Sequence, residues 1–220
     1  MITTYYTKSS AFEAQITLEA LLKQLPEHFS ARALRYQFPE DAYNFILGRL
    51  MLKKALKTLG LPVECLNKMT YNEEGKPLIE GISFSISHSQ DLVACAFSAT
   101  GNIGLDVEFP RDITRTHFRH CFNDQEWALI QNDESRHTFY QYWTQKEAIL
   151  KANGVGLAHL LAIDIKNPTL AHFYNKETLI QTTWNLKAMN LGDSLAYVCL
   201  CTDLEVEVSL EELKTVESLV

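Results

Sequence analysis

Leucine and isoleucine recur at three- and four-residue intervals across residues 41–59, DAYNFILGRLMLKKALKTL, with Lys53, Lys54 and Lys57 gathered towards the end. Apolar side chains at that spacing share one helix face, and Gly60 followed by Pro62 stops the run, so the pattern predicts the first long helix. The period then changes to two. GISFSISHS (81–89) and DLVACAFSA (91–99) read as strands, after a turn shaped by Gly75 and Pro77 in YNEEGKPLI. NIGLDVEF (102–109) places Ile103, Leu105, Val107 and Phe109 on one face and Gly104, Asp106 and Glu108 on the other, which predicts a half-buried strand with an acidic open face.

Helical spacing returns in NDQEWALIQ (123–131), a short helix with Asn123 or Asp124 as its cap and Glu126 in its first turn. A longer helix is expected from about 135 to 152. TTWNLKAMN, SLAYVCLCTD and VEVSL read as strands, and Lys214 is the one positive residue after position 205. Helix followed by strands, twice over, predicts an α+β fold of two similar α/β halves packed as a pseudo-dimer, with the active site in the cleft between them. The boundaries expected are 1–102 for the N-terminal half, 103–205 for the C-terminal half and 206–220 for an acidic tail.

Composition narrows the function classes. Over 220 residues, 46% hydrophobic and 21% charged content is that of a soluble globular chain, and the net charge of −7 lacks the field of Lys and Arg that nucleic acid or an anionic membrane would require. No apolar run approaches the ~18 residues of a membrane span, and MITTYYTKSS has neither a basic nor an apolar leader segment. The expected location is the cytoplasm. Five cysteines, Cys65, Cys95, Cys121, Cys199 and Cys201, form an odd set without C-x-x-C spacing, which fits reduced thiols, and the CLC pair is expected to pack in the core from one face of a strand.

Four stretches carry chemistry. In GLDVE (104–108), Asp106 and Glu108 project from the same strand face; such a pair is either solvated or bridged by a cation, and Mg²⁺ favours one or two carboxylates together with phosphate oxygens. In WTQKEAILKANGVGL (143–157), Trp143, Glu147 and Lys151 lie four apart on one helix stripe. Glu147 and Lys151 alone could be a surface ion pair, but the tryptophan suggests a partly buried face, where a carboxylate beside an ammonium is more often functional. Ser87 and His88 end a strand where they could meet a phosphate, and Lys76 sits at the tip of the EEGKP turn. The combination suits phosphoryl-type chemistry, and the absence of G-x-x-x-x-G-K-[ST] excludes a P-loop mechanism.

GKP (75–77), FSISHS (84–89), GLDVE and WTQKEAILKANGVGL occur in this order, and over about residues 27–200 the chain resembles the two-lobed 4′-phosphopantetheinyl transferases that activate peptide synthetases. The resemblance implies a monomeric, Mg²⁺-dependent enzyme that transfers the phosphopantetheine arm of coenzyme A to a serine of an apo acyl or peptidyl carrier protein and releases 3′,5′-ADP. It implies Asp106, Glu108 and Glu147 as metal ligands, Lys151 on the attacked phosphate, Ser87 and His88 on coenzyme A phosphates, and Gly75, Lys76 and Pro77 on the nucleotide side. Glu147, directly or through a metal-bound water, is the base for the incoming serine. The chain departs from the family's pattern at Asn44, where a cation for the 3′-phosphate is expected, and around His28; Arg32, Arg35 or Arg49 are the substitutes. FRHCF (118–122) is a possible part of a carrier-docking patch. Two other classes use the same residues, a Mg²⁺-dependent phosphodiesterase acting on coenzyme A and a non-enzymatic module that binds coenzyme A or a carrier.

Overall fold

The computed structural model describes residues 1–175, 178–192 and 194–219. Its contacts divide into two α+β units, residues 1–100 with 206–220, and residues 101–205.

The first unit opens on β1 (Ile2–Lys8), followed by three short helices, α1 (Ser9–Glu13), α2 (Leu18–Leu22) and α3 (Glu27–Ala33). The predicted long helix is α4 (Pro39–Thr58); Pro39 begins it because a first-turn residue needs no intrahelical N–H bond. Its apolar repeat buries Phe45, Ile46, Leu47, Leu50, Met51 and Leu52, too wide a face for a surface helix. After the hairpin β2 (Thr70–Tyr71) and β3 (Pro77–Leu78) come β4 (Ser83–Ser89) and β5 (Leu92–Ser98). β5 is buried throughout, since β1 and β4 flank it and α4 packs on it.

Asn44 on α4 is only 2% exposed, and its Nδ2 donates to the Gln90 carbonyl at 2.8 Å. It anchors the β4–β5 turn, in which Gln90 takes a φ of 50°. The position expected to face the 3′-phosphate is therefore a core position, and an arginine there would bury an uncompensated guanidinium.

The second unit runs β6 (Ile103–Glu108), α5 (Asp124–Asn132), α6 (His137–Asn153), β7 (Ile163–Asn167), β8 (Leu170–Asn175), β9 (Ile180–Ala188) and β10 (Tyr197–Thr202). Its sheet has the order β6-β10-β9-β8-β7 with antiparallel neighbours. β6 does not have the open acidic face that its alternation predicts. Gly104 and Asp106 are buried, because α6 lies across that face. Cys199 stands opposite Asp106 and Cys201 opposite Gly104, so both CLC thiols enter the core shared with Ala148 and Ala152, as their spacing predicts.

The helix pair α5–α6 is locked by a buried charge. Asn123 caps α5 with its Oδ1 accepting from Glu126 N at 2.9 Å, while Glu126 Oε2 accepts from Asn123 N at 2.9 Å, a reciprocal capping box. The same Oε2 lies 2.9 Å from Nζ of Lys146, whose side chain is 0% exposed and also donates to the Leu160 carbonyl at 3.0 Å. Removing one member of a buried pair leaves the other charge uncompensated. Lys146→Met is expected to cost about 3 kcal/mol in urea unfolding, and adding Glu126→Gln to it should recover at least about 1 kcal/mol. A single-variant loss below about 1 kcal/mol would show that the pair is not energetically coupled to folding.

The segment 206–220, expected to be a separate acidic tail, belongs to the first unit. β11 (Val208–Glu212) runs parallel to β1, with Ile2 opposite Val208, and completes the order β11-β1-β5-β4; α7 (Val216–Leu219) follows. Its acids Glu211 and Glu212 stay on the exposed sheet edge, while Leu213 and Leu219 drop into the core. Among the described residues no helix is long and apolar enough to cross a membrane.

Candidate active site

Helix α6 answers strand β6 residue for residue. The stripe Trp143, Glu147, Lys151 spans about 12 Å along the helix, whereas Asp106 and Glu108 are about 6.6 Å apart on the strand, so the long side chains at the ends of the stripe reach inward to the acids. Lys151 Nζ donates to Asp106 Oδ1 at 2.7 Å, and Trp143 Nε1 donates to Glu108 Oε1 at 3.2 Å. Glu147 lies between them, within electrostatic reach of Lys151 and of both acids. The i, i+4, i+8 spacing made the stripe legible, but not that Lys151 and Trp143 are partners of the strand's acids.

Burial drives the electrostatics. Asp106 is 4% exposed, and Glu108 and Glu147 are half-buried. Burial pushes Glu147 up to about 7, with Asp106 and Glu108 adding repulsion and Lys151 opposing it. Glu108 is also raised, by burial first and then by Asp106, against the indole N–H of Trp143 and the charges of Arg111 and Lys151. The three carboxylates offer hard oxygen donors, whose mutual repulsion a divalent cation placed among them would relieve. Among the described residues no group of three or more His, Cys, Asp or Glu side chains is gathered closely enough to be a ready-made metal centre, and the ammonium of Lys151 is the cation now beside Asp106.

The remaining predicted residues lie in the first unit. Asn72 Oδ1 accepts from the backbone N–H of Glu74 at 3.1 Å and of Lys76 at 2.7 Å, building the turn that presents Lys76. Gly75 completes it at φ +82°, a conformation that favours glycine. Pro77 begins β3 directly after this turn, and Ser87 and His88 are near the end of β4, Ser87 buried and His88 exposed. A pocket of 540 Å³ is lined by His28, Ala31, Arg32, Arg35 and Tyr36. Beside it the guanidiniums of Arg49 and Arg32 sit 3.9 Å and 5.2 Å from the centroid of one ring, that of Phe45. Burial and the neighbouring Arg32 push Arg49 down to about 10. Among the described residues Arg32, Arg35 and Arg49 form no ion pair.

Comparison with known proteins accounts for both units. Residues 102–199 match the 4′-phosphopantetheinyl transferase superfamily, and residues 13–100 match the N-terminal region of 4′-phosphopantetheinyl transferase. The 4′-phosphopantetheinyl transferase HetI of Nostoc sp. is 35% identical over 160 residues, 67% of this chain and 67% of that protein. AcpT of Salmonella typhi is 31% identical over 156 residues, 66% of this chain and 75% of that protein, and gsp of Aneurinibacillus migulanus is 34% identical over 129 residues, 56% and 54% respectively. All three carry the name 4′-phosphopantetheinyl transferase. With GLDVE on β6, WTQKEAILK on α6 and the two family matches covering both units, the chain belongs to the 4′-phosphopantetheinyl transferase superfamily.

Proposed function

We propose that the chain transfers the 4′-phosphopantetheine arm of coenzyme A to a serine of an apo acyl or peptidyl carrier protein, with Mg²⁺, in the cytoplasm and as a monomer. The observation that carries this reading is the apposition of Asp106, Glu108, Glu147 and Lys151 across β6 and α6. Asp106, Glu108 and Glu147 would hold the cation, which when bound supplies charge neutralisation at the pyrophosphate. The serine Oγ forms a bond to the phosphorus of the phosphopantetheine phosphate, the anhydride P–O bond breaks, and 3′,5′-ADP leaves. Glu147, directly or through a metal-bound water, would accept the serine proton, and Lys151 would offset charge on the attacked phosphate.

On the nucleotide side, Lys76 on its fixed turn, with Gly75, Pro77, Ser87 and His88, would contact coenzyme A. The arginines Arg32, Arg35 and Arg49, with His28 beside them, suit the 3′-phosphate, because among the described residues these arginines form no ion pair. Arg32→Ala is therefore expected to raise KM for coenzyme A about tenfold, a charge-assisted bond's worth, while leaving dephospho-coenzyme A nearly unchanged. Parallel titrations of both donors check it; an equal change for both would remove Arg32 from the 3′-phosphate. For the carrier, the 340 Å³ groove lined by Phe118, Trp143, Leu157, Leu161, His117 and His120 offers apolar side chains with a polar rim, which suits docking through an apolar contact.

The deciding experiment is mass spectrometry of several apo carriers after incubation with the chain, coenzyme A and Mg²⁺. A gain of one phosphopantetheine arm on the carrier supports the reading. Coenzyme A cleaved with carriers unmodified would assign a phosphodiesterase, and coenzyme A bound but intact would assign a binding module.

A further inference from the structure

Asp106 and Glu108 share a strand face but differ in what holds them. Asp106 is in the interior of β6, buried and held by Lys151 at 2.7 Å. Glu108 is the last residue of the strand, half-buried, beside a 50 Å³ cavity lined also by Arg111, Ile113, Phe118, Phe139, Tyr140 and Trp143. A carboxylate at a strand end needs a directional contact to keep one rotamer, and the indole N–H of Trp143 supplies one at 3.2 Å.

The indole is itself fixed. Phe139 lies parallel to it, with centroids 6.1 Å apart and 9° between planes; Phe118 meets it edge-on at 5.4 Å and 79°; Phe122 is at 6.4 Å. Such offset and edge-to-face contacts leave the ring little freedom, so the direction of its N–H is set by the aromatic core of the second unit. Trp143 also lines the apolar groove, so the same ring forms one wall of the groove and one contact to the carboxylate.

We propose that Trp143 is a positioning residue for Glu108: its N–H holds the carboxylate in one rotamer on the face it shares with Asp106, so that Glu108 has less freedom to lose when it meets the cation. The inference rests on the reading of Glu108 as a magnesium ligand. Helix α6 then supplies a positioning group on each side of Glu147, Lys151 for Asp106 and Trp143 for Glu108. A preorganised ligand binds its ion more tightly because the ordering cost is met in the folded protein.

The test is calorimetric titration of Mg²⁺ into the full chain with coenzyme A present. Trp143→Phe keeps the ring stacking and removes the donor; it is expected to weaken Mg²⁺ about tenfold while KM for coenzyme A stays within about twofold. Glu108→Gln should weaken Mg²⁺ at least as much, and the double variant no more than Glu108→Gln alone. Wild-type Mg²⁺ affinity in Trp143→Phe, with loss in Glu108→Gln, overturns the role of Trp143 alone. Unchanged affinity in Glu108→Gln overturns the metal reading and this inference with it. Additive losses in the double variant would place the effect of Trp143 in packing rather than in Glu108, and overturn the proposal. Trp143→His, which retains an N–H donor on a smaller ring, guards against a folding defect: it should bind Mg²⁺ more tightly than Trp143→Phe even if it melts lower, and the reverse order overturns the proposal.

Discussion

Gly104→Ala is expected to remove the folded second unit, with the soluble yield collapsing and any residual protein destabilised by more than about 5 kcal/mol. The cause is backbone on backbone. A Cβ at position 104 would lie 1.8 Å from the carbonyl oxygen of Ala148, 2.5 Å from the amide nitrogen of Ala152 and 2.9 Å from the carbonyl carbon of Ala148. No rotamer change relieves such contacts, because the atoms belong to the main chain of α6 rather than to a flexible side chain. Moving α6 outward would also separate Lys151 from Asp106 and Trp143 from Glu108. The glycine of GLDVE is therefore a spacing device for the site. Gly75→Ala is the control: nothing lies within 4 Å of its Cβ, but its φ of +82° disfavours a side chain, so a loss of only about 1–2 kcal/mol is expected. Urea unfolding of both variants beside the parent makes the comparison. A Gly104→Ala protein that unfolds like the parent would mean that α6 does not lie against β6 at this distance.

This glycine shows where the sequence is readable and where it is not. Periodicity located α4 and α6 because apolar spacing is a local property, and the Asn123 cap was legible for the same reason. Alternation located β6, but it predicted an open acidic face, since nothing in eight residues reveals that a helix some forty positions later covers Gly104 and Asp106. Lys146 is the same kind of case. In QKE it looks like a solvated charge, yet it is fully buried because its partner Glu126 waits on another helix. VEVSL was readable as a strand but not as a neighbour of β1, because the parallel pairing of Ile2 with Val208 joins residues about two hundred positions apart. Strand β8, LAHFYN, mixes polar with apolar positions on both faces, and β7, IDIKN, alternates over only five residues, so alternation marks neither clearly. The site residues were legible as two acids on one face and a stripe on a helix; their pairing required the packing of α6 on β6.

Asp106→Asn should lower kcat/KM for transfer about a thousandfold, roughly 4 kcal/mol of transition-state stabilisation, while the protein stays folded. The substitution is nearly isosteric, so the 4% exposed site remains filled, and the amide oxygen can still accept from Lys151 Nζ where Oδ1 now does at 2.7 Å. What disappears is one negative charge. Lys151 loses its counter-charge, and the proposed cation loses one of three carboxylates, so the balance of charge around the pyrophosphate is altered at both ends. Removing a charge from a repelling cluster should also lower the pKa of Glu147, because Asp106 is one of the groups that raise it. Two readouts separate these effects. In transfer assays, the Mg²⁺ concentration for half-maximal rate should rise more than about tenfold if Asp106 is a ligand, and partial rescue is expected at high Mg²⁺. In thermal unfolding without metal, the variant should be no less stable than the parent by more than about 2 kcal/mol, since the repulsion it relieves offsets the weakened bond to Lys151. Wild-type turnover by Asp106→Asn at limiting Mg²⁺ would end the assignment of Asp106 to the cation. A thousandfold loss with an unchanged Mg²⁺ requirement would leave Asp106 as the residue that orients Lys151.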